Sequence, residues 1–192
     1  MAQIGRSWSL FGICVFLVAM IMAPVFTLES FSWISTPMVE MAAHQVPNAW
    51  IMRVGFISLG IGILLDTMHT VNRYDLHDLP FLLFAVLMIA GGAVNLQTAS
   101  ASDFVASPIA HAKGFLFIFA FLSVLTGIFI RIFFSPAGFE RIASIVVVAL
   151  LILLPLTLAV APQCTGLVDR MIYLLMVGWI AWFVPPRHAK AN

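Results

Sequence analysis

Five residues in two polar stretches of this chain are of the types that do chemistry at neutral pH: Glu29, Glu40, His44, Asp103 and His111. Glu40 and His44 lie in Leu28–Arg53 (LESFSWISTPMVEMAAHQVPNAWIMR), four apart, so on a helix they share one face. Asp103 and His111 lie in Gln97–Lys113 (QTASASDFVASPIAHAK). Glu40, His44, Asp103 and His111 form the candidate catalytic set. Two imidazoles with carboxylates suit zinc or another transition metal. The same groups beside the hydroxyls of Ser30, Ser32, Ser35 and Thr36 would supply a nucleophile, a base and an orienting group. A shared metal would bring the two histidine Cα atoms within roughly 12 Å. No HExxH or comparable spacing is present, so no particular metal or cofactor can be named. The plainer alternative is ordinary loop polarity, since connecting segments are polar by default.

A second group, Asp66, His69, Asp75, His77 and Asp78, surrounds Arg73. Asp66 and His69 are three apart and share a face if their helix continues that far. This group also suits a metal, but charges at a helix end near water need no function.

The elements that position these residues are apolar. The chain has 192 residues, of which 62% are hydrophobic and 9% charged, and its mean hydropathy is +1.10. A soluble domain is about half apolar and about a quarter charged, so the composition predicts an all-α integral membrane protein of one transmembrane domain. A net charge of +1 gives no reason to expect a nucleic-acid partner. Apolar runs predict six spans, 7–27, 50–66, 79–96, 114–134, 141–160 and 171–184, several near the 20 or so residues that cross a bilayer core. The first run is read as a retained helix, because no small-x-small cleavage site follows it. Gly55, Gly60 and Gly62 in the second span would let neighbouring helices approach closely. Pro80 suits the first turn of the third span, and Pro155 is expected to kink the fifth. Cys14 and Cys164 match neither a metal motif nor a disulfide framework.

Arg6, Arg73, Arg131, Arg141, Arg187 and Lys190 gather at one set of span ends, and Arg53, Lys113 and Arg170 at the other. The positive-inside bias predicts both termini in the cytoplasm, with the protein in the cytoplasmic membrane. The two polar stretches then face outward together. All five histidines lie outside the spans or at their ends, and no lysine lies within one, so haem ligation and a retinal Schiff base lack their residues. No ionisable residue falls mid-span, which argues against ion-coupled transport.

Four segments carry a family resemblance: SWISTP after the first span, VPNAWIMRVGFISLGIGIL into the second, SDFVASPIAHAKGFLFIFAF into the fourth, and GLVDRMIYLLMVGWIAWF as the last. In these the chain resembles the domain-of-unknown-function 998 family of six-helix membrane proteins. The family pattern has Ser-Asp where this chain has Ser35-Thr36. Its layout is similar to that of the Frag1/DRAM group, which is linked to lipid handling. The resemblance implies a six-helix fold over nearly the whole chain and assigns no activity.

Three functions follow as expectations. The first is an accessory protein that binds membrane lipids or another membrane protein, motivated by the scarcity of buried charge and the 17 Phe and 10 Met. The second is a membrane-embedded hydrolase or transferase acting on lipids through the outward His/carboxylate set. A small-molecule transporter ranks below both.

Overall fold

A computed structural model describes residues 8–26, 31–43, 46–71, 78–93, 108–134 and 138–183; for 69–71, 108–114 and 183 the description is of the backbone alone. Among these residues the regular elements are all helical: α1 (Trp8–Phe26), α2 (Met38–Met41), α3 (Trp50–Val71), α4 (Leu79–Ala93), α5 (Pro108–Phe134), α6 (Phe139–Thr157) and α7 (Thr165–Phe183), with a 3-10 turn at Pro162–Cys164. Five helical stretches are long and apolar enough to cross a membrane: Trp8–Phe26, Trp50–Met68, Phe115–Phe134, Phe139–Thr157 and Pro162–Trp182. The helix over the expected third span, α4, is apolar but is described for 15 residues. The architecture is compatible with an integral membrane protein.

Helices α1, α3, α4 and α5 pack in sequence, each against the next. The expected close approach at the glycines of α3 is present on two faces. A Cβ at Gly60 would lie 2.6 Å from the carbonyl oxygen of Ala85 in α4, and one at Gly62 would run into the carbonyl oxygen of Trp8 in α1. Any side chain there would force the helices apart. The core behind this contact is aromatic. The Phe16 and Phe56 rings lie 5.7 Å apart, Phe56 and Phe117 5.0 Å, and Phe16 and Tyr173 5.5 Å. One cluster thus joins α1, α3, α5 and α7. Helix α6 is the most peripheral, with most of its side chains on the outer surface. Pro155 lies inside its last turn, and the helix ends two residues later at Thr157.

Two differences from the expected spans have clear causes. Helix α3 runs past Asp66 to Val71 because Asp66 is buried, not solvated. Its Oδ1 accepts from the Trp8 amide at 3.0 Å and its Oδ2 from the Ser9 amide at 2.8 Å, amides that open α1 and have no partner within that helix. Helix α7 begins at Thr165, so Asp169 and Arg170 lie inside a helix and not in the connection before it. A hydropathy reading ends a span at charged residues; here their partners come from a distant loop.

At the end of the bundle that carries Asp66, Arg131 of α5 pairs with Asp78 at 3.2 Å. Its guanidinium carbon stands 5.7 Å from the Phe81 ring and 5.8 Å from that of Trp179. The Trp179 indole donates to Ser144 Oγ at 3.1 Å and so ties α7 to α6.

Candidate functional site

The polar chemistry at the opposite end is organised by residues 31–43, which form a strap between α1 and α3 that lies over the start of α7. Three features of the α7 sequence hold it. Gly166 has no side chain, and the strap backbone enters that space: a Cβ there would sit 2.5 Å from the Thr36 carbonyl oxygen. Arg170, one turn on, is 4% exposed. Its Nη1 donates to the carbonyls of Trp33 (2.7 Å), Thr36 (3.1 Å) and Gly166 (2.7 Å), and its Nη2 lies 3.7 Å from Met41 Sδ. The guanidinium carbon stands 4.9 Å from the Trp33 ring. A lysine ammonium would lack the second Nη that meets Met41 and the guanidinium plane near the Trp33 ring. Asp169 completes the set: its Oδ2 accepts from the Met38 amide, which opens α2, at 2.7 Å. Two further bonds fix the register, from the Leu167 amide to the Ile34 carbonyl at 3.0 Å and from Thr165 Oγ1 to the Ser35 carbonyl at 2.6 Å. The charge-assisted bonds of Arg170 and Asp169 are each worth about 1.5–3 kcal/mol, the neutral ones about 1.

Of the hydroxyls expected to provide a nucleophile, Ser30 lies outside the described residues, and those of Ser32 and Thr36 shape the strap. Ser32 Oγ accepts from the amides of Ile34 (3.2 Å) and Ser35 (3.4 Å), and Thr36 Oγ1 accepts from the Ser32 amide at 3.1 Å. These are local turns of the kind that serine and threonine form with their own backbone.

Of the four candidate catalytic residues, Glu40 is described in full. It lies in α2 with an exposed side chain, and partial desolvation raises its carboxyl above the ordinary value. His44 and Asp103 lie outside the described residues; His111 falls within the first two turns of α5, its side chain outside them too. Of the second group, Asp66 and Asp78 act as a helix cap and an ion-pair partner. The side chain of His69 and all of Asp75 and His77 lie outside the described residues. Among the described residues no three of His, Cys, Asp and Glu come close enough to hold a metal ion.

Under the strap lies a cleft of about 190 Å³. Phe84 and Met88 of α4, Phe117, Ile118 and Phe121 of α5, Pro155 of α6, Tyr173 of α7 and Val39 of the strap help to form its walls. Ile118 stands at the rim, 54% exposed on the outer face of α5. Among the described residues, two that line it carry polar side-chain groups, Asp169 and Tyr173. Asp169 uses Oδ2 for Met38; Oδ1 has no donor, and the carboxylate forms no ion pair, among the described residues. Sequence reasoning missed Asp169, Arg170 and Tyr173. The one available signal was the Gly166-x-x-x-Arg170 spacing, which places both residues on the face of α7 that meets SWISTP.

The chain matches no known family model, no curated protein and no solved structure.

Proposed function

We propose that this chain is an accessory protein of the cytoplasmic membrane that binds a membrane lipid in the cleft beneath the strap. The observation that carries the reading is the cleft itself, walled by aromatic and aliphatic side chains with Asp169 and Tyr173 among them. Pockets for amphiphilic ligands combine a mostly apolar wall with a few placed polar groups. The position of Asp169, one turn inside α7, would hold a headgroup near one membrane surface while the chain lies along Phe84, Met88 and Phe117. The exposed rim at Ile118 gives the chain a lateral exit into the bilayer. In this reading the protein has six spans, α4 being the shortest, and both termini face the cytoplasm; accessibility labelling of a tag after Asn192 checks that orientation.

Native mass spectrometry of gently solubilised protein tests the binding. Wild-type protein should retain a lipid adduct that Ile118→Trp loses, because the larger ring closes the rim. Wild-type protein without an adduct, or an adduct unchanged in the variant, would remove the cleft from the account.

A further inference from the structure

We infer that the cleft selects an amphiphile whose head is a protonated amine, which Asp169 Oδ1 receives. This inference rests on the lipid-binding reading and adds the chemical class of the head.

Charge decides the class. Asp169 is a cleft-lining carboxylate with one oxygen already occupied by the Met38 amide and the other without a donor among the described residues. Arg170, next to it in sequence, would be expected to neutralise it by direct pairing. Instead Arg170 is occupied by the Trp33, Thr36 and Gly166 carbonyls and stacked on the Trp33 ring. Its two Nη atoms hold the strap, its Nε is buried with no hydrogen-bond partner among the described residues, and it is absent from the cleft lining. Arg170 still attracts the carboxylate through space without pairing with it, and a second carboxylate, Glu40, opposes that attraction by a smaller repulsion. Among the described residues, the polar end of the cleft therefore presents the Asp169 carboxylate, and no basic side chain belongs to its lining. A fatty-acid carboxylate or an anionic phosphate head would meet like charge there. A primary ammonium supplies three donors and the opposite charge. The walls favour it too: Phe84, Phe117, Phe121 and Tyr173 line the same space, and aromatic faces attract cations. Hydrocarbon attached to the amine would lie against these rings and leave past Ile118.

Two sources share this chemistry, an aminophospholipid and a free long-chain amine. The test uses purified full-length protein in a neutral detergent, with binding read by native mass spectrometry and by thermal shift. Tetradecylamine, tetradecanol and myristate carry one chain on a cationic, a neutral and an anionic head. Tetradecylamine should bind about tenfold or more tighter than tetradecanol, the ratio expected of one charge-assisted hydrogen bond, with myristate weakest. A parallel pair, dimyristoyl phosphatidylethanolamine against dimyristoyl phosphatidylglycerol, identifies the source: preference for the ethanolamine lipid points to an aminophospholipid, and preference for the bare amine over both points to a long-chain amine. In Asp169→Asn, whose amide oxygen can still accept from Met38, the ratio of tetradecylamine to tetradecanol affinity should fall towards one. The wild-type ranking alone can overturn the inference: equal binding of the three probes, or myristate binding best, refutes the amine head and leaves lipid binding standing. If none of the probes binds, the lipid-binding reading fails as well.

Discussion

Replacing Gly166 with alanine adds one methyl group at the point where the strap touches α7. The new Cβ would lie 2.5 Å from the Thr36 carbonyl oxygen, whereas ordinary van der Waals contact starts at 3.4 Å, so the strap must retreat by about 0.9 Å. The Leu167–Ile34 bond, now 3.0 Å, and the Arg170–Thr36 bond, now 3.1 Å, would both pass beyond hydrogen-bonding range. Losing a neutral and a charge-assisted bond costs about 3 kcal/mol. Alanine returns up to about 1 kcal/mol of helix propensity. The net loss is about 2 kcal/mol, a fall in Tm of roughly 4–8 °C for a chain of this size. Gly178 in the same helix is the control, because a Cβ there meets nothing within 4 Å. Gly178→Ala should be neutral or stabilising by up to about 1 kcal/mol. Thermal melts in detergent, followed by circular dichroism, compare the two. Equal shifts for both variants, or a Gly166→Ala protein as stable as wild type, would refute the close packing of strap and helix.

Arg170→Lys keeps the charge but loses the guanidinium plane near Trp33 and the Nη2 contact with Met41. It should cost about 2–3 kcal/mol and speed proteolysis within residues 31–43, read by timed digestion and mass spectrometry. Asp66→Ala removes the acceptors of the Trp8 and Ser9 amides and should lower stability by about 2 kcal/mol in the same melts. Glu40 holds its proton more tightly in the folded chain than its ordinary value of 4.5 implies. Its contribution to stability is therefore complete below that value and is lost as pH rises through the raised one. Glu40→Gln should gain stability relative to wild type as pH moves from below 4.5 towards neutrality, with no gain at the acid end.

Most of the helical layout was legible in the chain, because runs of about 20 apolar residues have few other uses. The ends were less so. Asp66 reads as a surface charge until α1 is seen to bring two unpaired amides to it. Asp169 and Arg170 read as the end of a span because their partners, the Met38 amide and the strap carbonyls, lie more than 120 residues away in sequence. Hydropathy carries no information about such backbone partners. The same limit applies to the hydroxyls of Ser32 and Thr36, whose types suit catalysis but whose bonds run to their own turn. The cleft was not legible at all: its walls come from the strap and four helices, and each wall residue read alone is core or lipid-facing packing.

Photocrosslinking in intact membranes tests the central claim most directly. Cells would be fed a fatty acid carrying a diazirine and an alkyne, so that their lipids incorporate it. After irradiation the crosslinked peptides of this protein are mapped by mass spectrometry. The account predicts label concentrated on Phe117, Ile118 and Phe121 of α5 and on Ile172, Tyr173 and Met176 of α7, and lost in Ile118→Trp. Label spread evenly over the outward faces of α1, α5 and α6, and unchanged in that variant, would contradict it.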